Sequence, residues 1–232
     1  MQYFIDHFTS AFITEDRYKF FITGLKNTLL ITIFAALLGI LIGFLIAVVR
    51  TTSDKAEKKN PVLSFLDAIC RVYLTVIRGT PTTVQLLIMY YIVMSGSTNK
   101  LLIAIMTFGI NSGAYVAEIV RSGIQSIDKG QFEAGRSLGF TYAQTMWYII
   151  IPQAFKNVLP ALVNEFITLL KETSISGYIA LNDLTHAGDI IRSLTYETFF
   201  PLITVAAIYL VLVMILTFLV GKLERRLRSG DR

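Results

Sequence analysis

An all-α, polytopic membrane protein is the fold class that this sequence predicts, and three observations carry the prediction. Hydrophobic residues make up 54% of the chain and charged residues 16%, where soluble domains hold about 25% charged, and the mean hydropathy is +0.61. Apolar residues gather into runs long enough for a bilayer, which a helix of about 20 residues spans. Lys and Arg collect in the polar segments beside those runs, the arrangement by which a membrane protein fixes its orientation. The prediction is a single transmembrane domain over residues 1–232 with about five transmembrane helices and one long polar loop at 122–148.

The same composition excludes other classes. A net charge of +5 does not point to nucleic acid, because the basic residues flank hydrophobic runs instead of forming a patch of their own. Cys70 is the single cysteine, and His7 and His186 stand far apart, so neither a disulfide nor a metal site is expected. No nucleophile, base and orienting group cluster at a suggestive spacing, and no catalytic residue is assigned.

Residues 1–20 carry Asp6, Glu15 and Asp16 where a cleavable leader needs positive charge, so the segment is expected to stay in the protein. Phe4, Phe8 and Phe12, with Ile5 alongside, recur at helical spacing and suit an amphipathic helix lying along the membrane surface. The first apolar run covers 21–49. Its Gly39 and Gly43 form a small-xxx-small pair, which either admits a close helix neighbour or reflects how common glycine is in such helices. Arg50 to Asn60 reads as a charged cytoplasmic loop.

From Pro61 to Met94 the chain is apolar again but longer than one crossing needs. Asp67, Arg71 and Arg78 fall on one helical face, where Asp67 and Arg71 either pair or meet a solute. In Arg78-Gly79-Thr80-Pro81, proline removes a backbone donor and disfavours helical geometry just before it. A kink is expected at Gly79, Thr80 and Pro81, as a gate hinge or a plain bend. After a polar turn at Ser95 to Lys100, the run Leu101 to Arg121 places Thr107, Asn111, Tyr115, Glu118 and Ser122 on one stripe. Polar groups are costly in hydrocarbon, so the stripe is expected to face the bundle interior.

The fourth run, Gln153 to Thr173, tolerates Pro160 as a kink and repeats a polar stripe at Asn157, Asn164, Thr168 and Glu172, with Glu165 and Lys171 beside it. Asn182 to Leu194 suits a short helix at or outside the membrane, and the last run, Phe200 to Val220, ends in Lys222, Arg225, Arg226 and Arg228. Segments 50–60, 121–144 and 222–232 hold 12 of the 21 Lys and Arg residues, against four in 1–20, 95–100 and 174–199. The basic side faces the cytoplasm, which places the N-terminus outside and the C-terminus inside.

The loop at 122–148 is the most informative stretch. Phe132, Leu138 and Phe140 are too sparse to build a core, while Glu133, Arg136, Ser137 and Gln144 leave a short helix with a small-residue face, which favours docking. Pro152 predicts a second helix starting there. Trp147 and Tyr148 suit the membrane interface where the chain re-enters.

The pattern resembles the EAA loop of permease subunits in binding-protein-dependent ABC importers, which reads Glu-Ala-Ala, three residues, Gly, nine residues, Ile-x-Leu-Pro. Here Glu133-Ala134-Gly135 is followed by Gly139 and then Ile149-Ile150-Ile151-Pro152, with spacing kept, the third Ala replaced by Gly and the Leu by Ile. The resemblance runs on through Arg78-Gly79-Thr80-Pro81, Asn111-Ser112-Gly113-Ala114-Tyr115 with Glu118, and Lys171-Glu172-Thr173-Ser174. It covers residues 20 to 226 and looks like the polar amino acid branch of that family.

The resemblance implies a bacterial inner-membrane permease in which Glu133, Ala134, Gly135, Arg136, Ser137 and Gly139 couple to a cytoplasmic ATPase. It implies a second permease subunit forming a homodimer, an extracytoplasmic amino-acid-binding protein, and ATP and Mg held by the ATPase, not by this chain. In keeping with that, no Gly-x-x-x-x-Gly-Lys-[Ser/Thr] phosphate loop occurs in the sequence. Counted along the third and fourth runs, Asn111, Asn164 and Glu165 fall near mid-membrane, where a lone carboxylate costs on the order of a few kcal/mol.

Glu165 either forms an ion pair, with Arg71 or Arg78 as partner, or lines a polar solute path with Asn111, Tyr115, Asn164 and Thr168. In the second case its charge favours a basic amino acid. Tyr115 narrows that path or simply packs, and Glu118 is expected to pair with Arg121 or a neighbouring loop rather than meet the solute. The competing reading is a secondary transporter or channel in which Glu118 and Glu165 relay ions and the loop is a connector. Such folds carry internal repeats and more spans, and no repeat is found in this chain.

Overall fold

The computed structural model describes residue 5, residues 7–55 and residues 60–229, and all regular structure among them is helical. The chain order is α1 (Tyr18–Lys55), α2 (Pro61–Gly79), α3 (Thr82–Ile88), α4 (Lys100–Gln125), α5 (Lys129–Ser137), α6 (Tyr142–Thr145), α7 (Ile151–Glu172), α8 (Leu184–Thr195) and α9 (Phe199–Ser229). π turns at Met89–Val93 and Met146–Ile150 extend α3 and α6, and a 3₁₀ turn, Thr173–Ile179, follows α7.

Among the described residues, three helices are long and apolar enough to cross a membrane, over Tyr18–Asp54, Lys100–Gln125 and Phe199–Arg226. α2 and α7 have 19 and 22 residues, the length of a crossing, but carry charged residues. The most apolar window of α4 is 61% buried and that of α9 only 11%. α4 is therefore enclosed by its own chain, while α9 offers its side chains outward, as a lipid-facing helix does.

α1 overruns the expected 21–49 at both ends and takes in Arg50 to Lys55, which the sequence reading assigned to a loop. No glycine or proline interrupts that stretch, and Arg50 Nη1 is fixed 2.7 Å from Asp67 Oδ1 on α2. The rest of that loop, at 56–59, and Phe4 and Asp6 of the N-terminal segment lie outside the described residues.

The kink is where proline predicts it. α2 ends at Gly79, Pro81 is extended (φ −64, ψ 136), and α3 resumes at Thr82.

The chain divides into two compact units. The first comprises Met1–Leu37, Thr80–Gly109 and Phe166–Phe218. One of its clusters gathers Ile31, Ala35, Leu86, Ile103, Phe108 and Leu169, and another gathers Ala11, Phe21, Leu184, Ala187, Ile191 and Val205. Of the aromatic N-terminal face, Phe12 packs against this second cluster, while Ile5 and Phe8 are about half exposed. Phe8 lies 4.8 Å from Phe12 and 6.1 Å from Phe200, and Phe12 lies 5.8 Å from Phe21.

The second unit comprises Leu38–Gly79, Ile110–Glu165 and Leu219–Arg232. Its helices meet at glycines. A Cβ on Gly39 would sit 3.0 Å from Ser112 Cβ, and one on Gly43 only 2.6 Å from Val116 Cβ. The small-xxx-small pair therefore admits α4 against α1.

Candidate functional site

α5 is built to be stiff at both ends. Asp128 caps its start, its side chain accepting from the Gly130 N–H at 2.6 Å. At its end Gly139 adopts φ +79, the Phe140 N–H donates to the Gly135 carbonyl at 3.0 Å and the Gly139 N–H to the Arg136 carbonyl at 2.9 Å. That pair of bonds is a Schellman closure, and it requires the left-handed backbone that glycine adopts without strain.

Between the caps Glu133, Ala134, Arg136 and Ser137 are exposed, Leu138 is 73% exposed, and Gly135 is buried. The reason is Thr145 of α6, whose Cγ2 and Oγ1 would lie 2.7 Å from a Cβ on Gly135. The glycine at the third alanine position is thus the inward residue, and the others form an outward face.

Pro152 does not begin a helix. Thr141 and Gln144 form a capping box at the start of α6, and the helical path runs on without a break through the π turn Met146–Ile150 into α7. The Ile151 N–H donates to the Met146 carbonyl, five residues back. That widened turn shifts the hydrogen-bond ladder just where proline lacks a donor, so Pro152 fits inside a continuous helix. Sequence reasoning missed Thr145, although the Thr141–Gln144 spacing is a capping-box signal that would have found α6. Trp147 and Tyr148 are each 68% exposed.

The charged residues of the spans are largely paired. Asp67 is fully buried and receives Arg50 on one oxygen and Arg71 on the other. Glu118 pairs with Arg121 at 2.7 Å, and Arg121 also lies 3.7 Å from Asp54. Arg78 stands 3.9 Å from Glu118, its guanidinium 5.8 Å from the Tyr115 ring centroid. Arg71 and Arg78 thus take Asp67 and Glu118, so the ion-pair alternative for Glu165 finds neither of its two candidate arginines.

Glu165 accepts from the Ser112 hydroxyl at 2.9 Å. Ser112 adjoins Asn111, and both are about 1% exposed. The Ser112–Glu165 bond joins α4 to α7 and was not legible from spacing within either helix. The stripe expected on α4 divides: Thr107 and Asn111 are buried, while Tyr115 and Ser122 are exposed. On α7, Asn157, Asn164, Thr168 and Lys171 are all exposed.

The model of the family described as binding-protein-dependent transport system inner membrane component matches residues 39–229. The arginine transport system permease protein ArtQ of Bacillus subtilis (strain 168) is 38% identical over 221 residues, covering 94% of this chain and 97% of that protein. The glutamine transport system permease protein GlnP of Escherichia coli (strain K12) is 35% identical over 212 residues, covering 89% and 92%. A crystal structure of an amino acid ABC transporter with histidines matches with a TM-score of 0.83 at 44% identity, over 93% of this chain and 98% of that one. With its apolar helices, its stiff exposed loop helix and this likeness over nearly its whole length, the chain belongs to the binding-protein-dependent transport system inner membrane components, as a multi-pass permease subunit.

Proposed function

We propose that this chain carries a polar amino acid across the bacterial inner membrane as the permease of an ATP-driven importer, with α5 as the handle through which a separate ATPase moves it. The observation that carries this reading is the construction of α5: capped at both ends, inward only at Gly135, and outward at Glu133, Ala134, Arg136, Ser137 and Leu138. A rigid, exposed helix joined to two long helices transmits a push as a rigid body. In this orientation the 122–148 loop and the C-terminus are cytoplasmic, and ATP and Mg belong to the ATPase subunit.

The outward polar side chains of α7 support a shared path. Asn157, Asn164, Thr168 and Lys171 are exposed on a helix of crossing length, which hydrocarbon would penalise. A second copy of the chain, facing the first around an aqueous path, covers them as a homodimer. Asn111, Tyr115, Asn164 and Glu165 are the polar side chains offered to the solute, and the break at Gly79, Thr80 and Pro81 serves as a gate hinge. An extracytoplasmic binding protein delivers the solute to the outer segments 95–100 and 174–199. The relatives named for arginine and glutamine transport fit a solute whose ammonium or cationic side chain meets Glu165.

Vesicles containing the chain, its ATPase and its binding protein test this reading. Gly139→Asp is expected to insert normally and to abolish solute-stimulated ATP hydrolysis, while Glu165→Gln is expected to shift preference from arginine toward glutamine. Undiminished coupling in the first variant removes α5 from the mechanism.

A further inference from the structure

Three contacts fasten the polar loop to the first half of α7, in antiparallel order. At the end of α4, a Cβ on Gly123 would lie 2.2 Å from Val158 Cγ2, so glycine lets the two helices come this close without displacing Val158. In the turn that follows, the Asn157 amide donates to Ser126 Oγ at 2.9 Å, and Ser126 Oγ donates in turn to the Gly123 carbonyl at 2.8 Å. On α5 itself, Gln131 Oε1 accepts from the Gln153 amide at 3.2 Å. As the loop runs from 123 through 126 to 131, its partners on α7 step back from 158 through 157 to 153.

α5 touches the same helical path a second time. Gly135 seats on Thr145, and the Phe132 and Tyr142 rings lie 6.4 Å apart at an interplanar angle of 12°. Since α6, the π turn and α7 run on without a break, α5 is braced at two places along one continuous helical path, on α6 and, through Gln153, on α7. To α4, by contrast, it is joined through a short non-helical turn at 126–128.

We propose that Gln153 and Asn157 are positioning residues that hand the motion of α5 to α7, with Gln131 and Ser126 as their partners on the loop. The proposal rests on the reading of α5 as the importer's handle and names the route by which the handle acts. A push on α5 meets the brace at α6 and the amide bond at Gln153, so α7 moves with it as one body. Glu165 stands twelve residues further along α7 than Gln153, about 18 Å at 1.5 Å per residue. The same motion therefore reaches the carboxylate that accepts from Ser112.

Gln153 and Asn157 are four residues apart and so share a face of α7. Gln153 also donates to the Ile149 carbonyl at 2.9 Å, which fixes its side chain against its own helix. Gln131, Ser126 and Asn157 are exposed, and hydrogen bonds that water can replace add little to stability. What the two amides supply is register: together they set where the loop sits along α7.

Vesicles holding the chain with its ATPase and binding protein give the readout, solute moved per ATP hydrolysed, alongside ATPase retention on purification and the thermal midpoint. Gln131→Met and Gln153→Met each remove the bond to α5, and Ser126→Ala removes the acceptor of Asn157. Each is expected to lower solute moved per ATP about two- to fivefold, the factor that one partly solvated hydrogen bond contributes. Gln131→Met and Gln153→Met combined are expected to be no worse than either alone, because all three chains lack the same bond. Gln131→Glu and Ser126→Thr keep an acceptor in place and are expected to hold the parent ratio. ATPase retention and the midpoint are expected to stay at parent values throughout.

A parent ratio in Gln131→Met, Gln153→Met and Ser126→Ala overturns the proposal. So does a fall that comes only with a lowered midpoint or lost ATPase, which a merely structural or docking role produces, and so does an equal fall in Gln131→Glu. Gly139→Asp is measured beside them. If it uncouples hydrolysis from solute while the amide variants stay coupled, the handle stands and the route through α7 falls. If it leaves coupling intact, both fall.

Discussion

α5 and α8 are two short helices of similar construction and opposite fate. Each starts on an aspartate cap, Asp128 or Asp183, and each ends on a left-handed residue, Gly139 with φ 79 or Tyr196 with φ 54. α8 buries Leu184, Ala187, Gly188 and Ile191, with the Leu184 N–H donating to Thr28 Oγ1 at 3.1 Å and Asn27 Nδ2 to the Asn182 carbonyl at 2.7 Å. α5 buries only Gly135. An aspartate cap thus starts a helix in either setting, while the buried face decides whether the helix is held by its own fold.

The comparison is broken most forcefully at Gly24. A Cβ there would lie 2.6 Å from the Asp183 carbonyl oxygen, so Gly24→Leu is expected to drive α8 off α1 at a cost of about 1–3 kcal/mol or more, seen as a lowered thermal midpoint. A midpoint equal to that of the parent chain contradicts the anchoring.

A second test exploits the caps. Burial pushes the Asp183 carboxyl up to about 6, against the Thr185 and His186 N–H bonds that favour its charged form. The folded state therefore holds this proton more tightly than the unfolded chain, whose group titrates near 3.8. The stabilisation is complete below about pH 4, is lost as pH rises to about 6, and is flat above. Asp183→Asn keeps the capping oxygen and is expected to erase that slope, measured as thermal midpoint against pH.

The smallest effect on stability is expected at Leu138. Leu138→Ser on the exposed end of α5 is expected to shift stability by no more than about 0.5 kcal/mol while lowering solute-stimulated ATP hydrolysis severalfold. A large stability loss there would mean that α5 is held by its own chain after all.

The sequence was most legible where one residue dictates the backbone. Pro81 announced its own kink, and the Gly39–Gly43 pair offered a close neighbour as one of two readings, because each effect is local or repeats at helical spacing. It was least legible where the deciding partner lies elsewhere in the chain. Nothing near Gly135 names Thr145, nothing near Glu165 names Ser112, and the Phe8–Phe12 face does not reveal that Phe21 and Phe200 receive it. Pro152 misled for a different reason. Its usual meaning, a helix start, was cancelled by a π turn that single-residue preferences do not announce.

The buried Asp67, gripped by Arg50 and Arg71 from different helices, has an evolutionary corollary. Losing either arginine still leaves the carboxylate one cationic neighbour, whereas losing the carboxylate strands two cations together near the membrane. Drift should therefore erode this cluster from its basic side first, and across related permeases the aspartate should outlast at least one of its two companions.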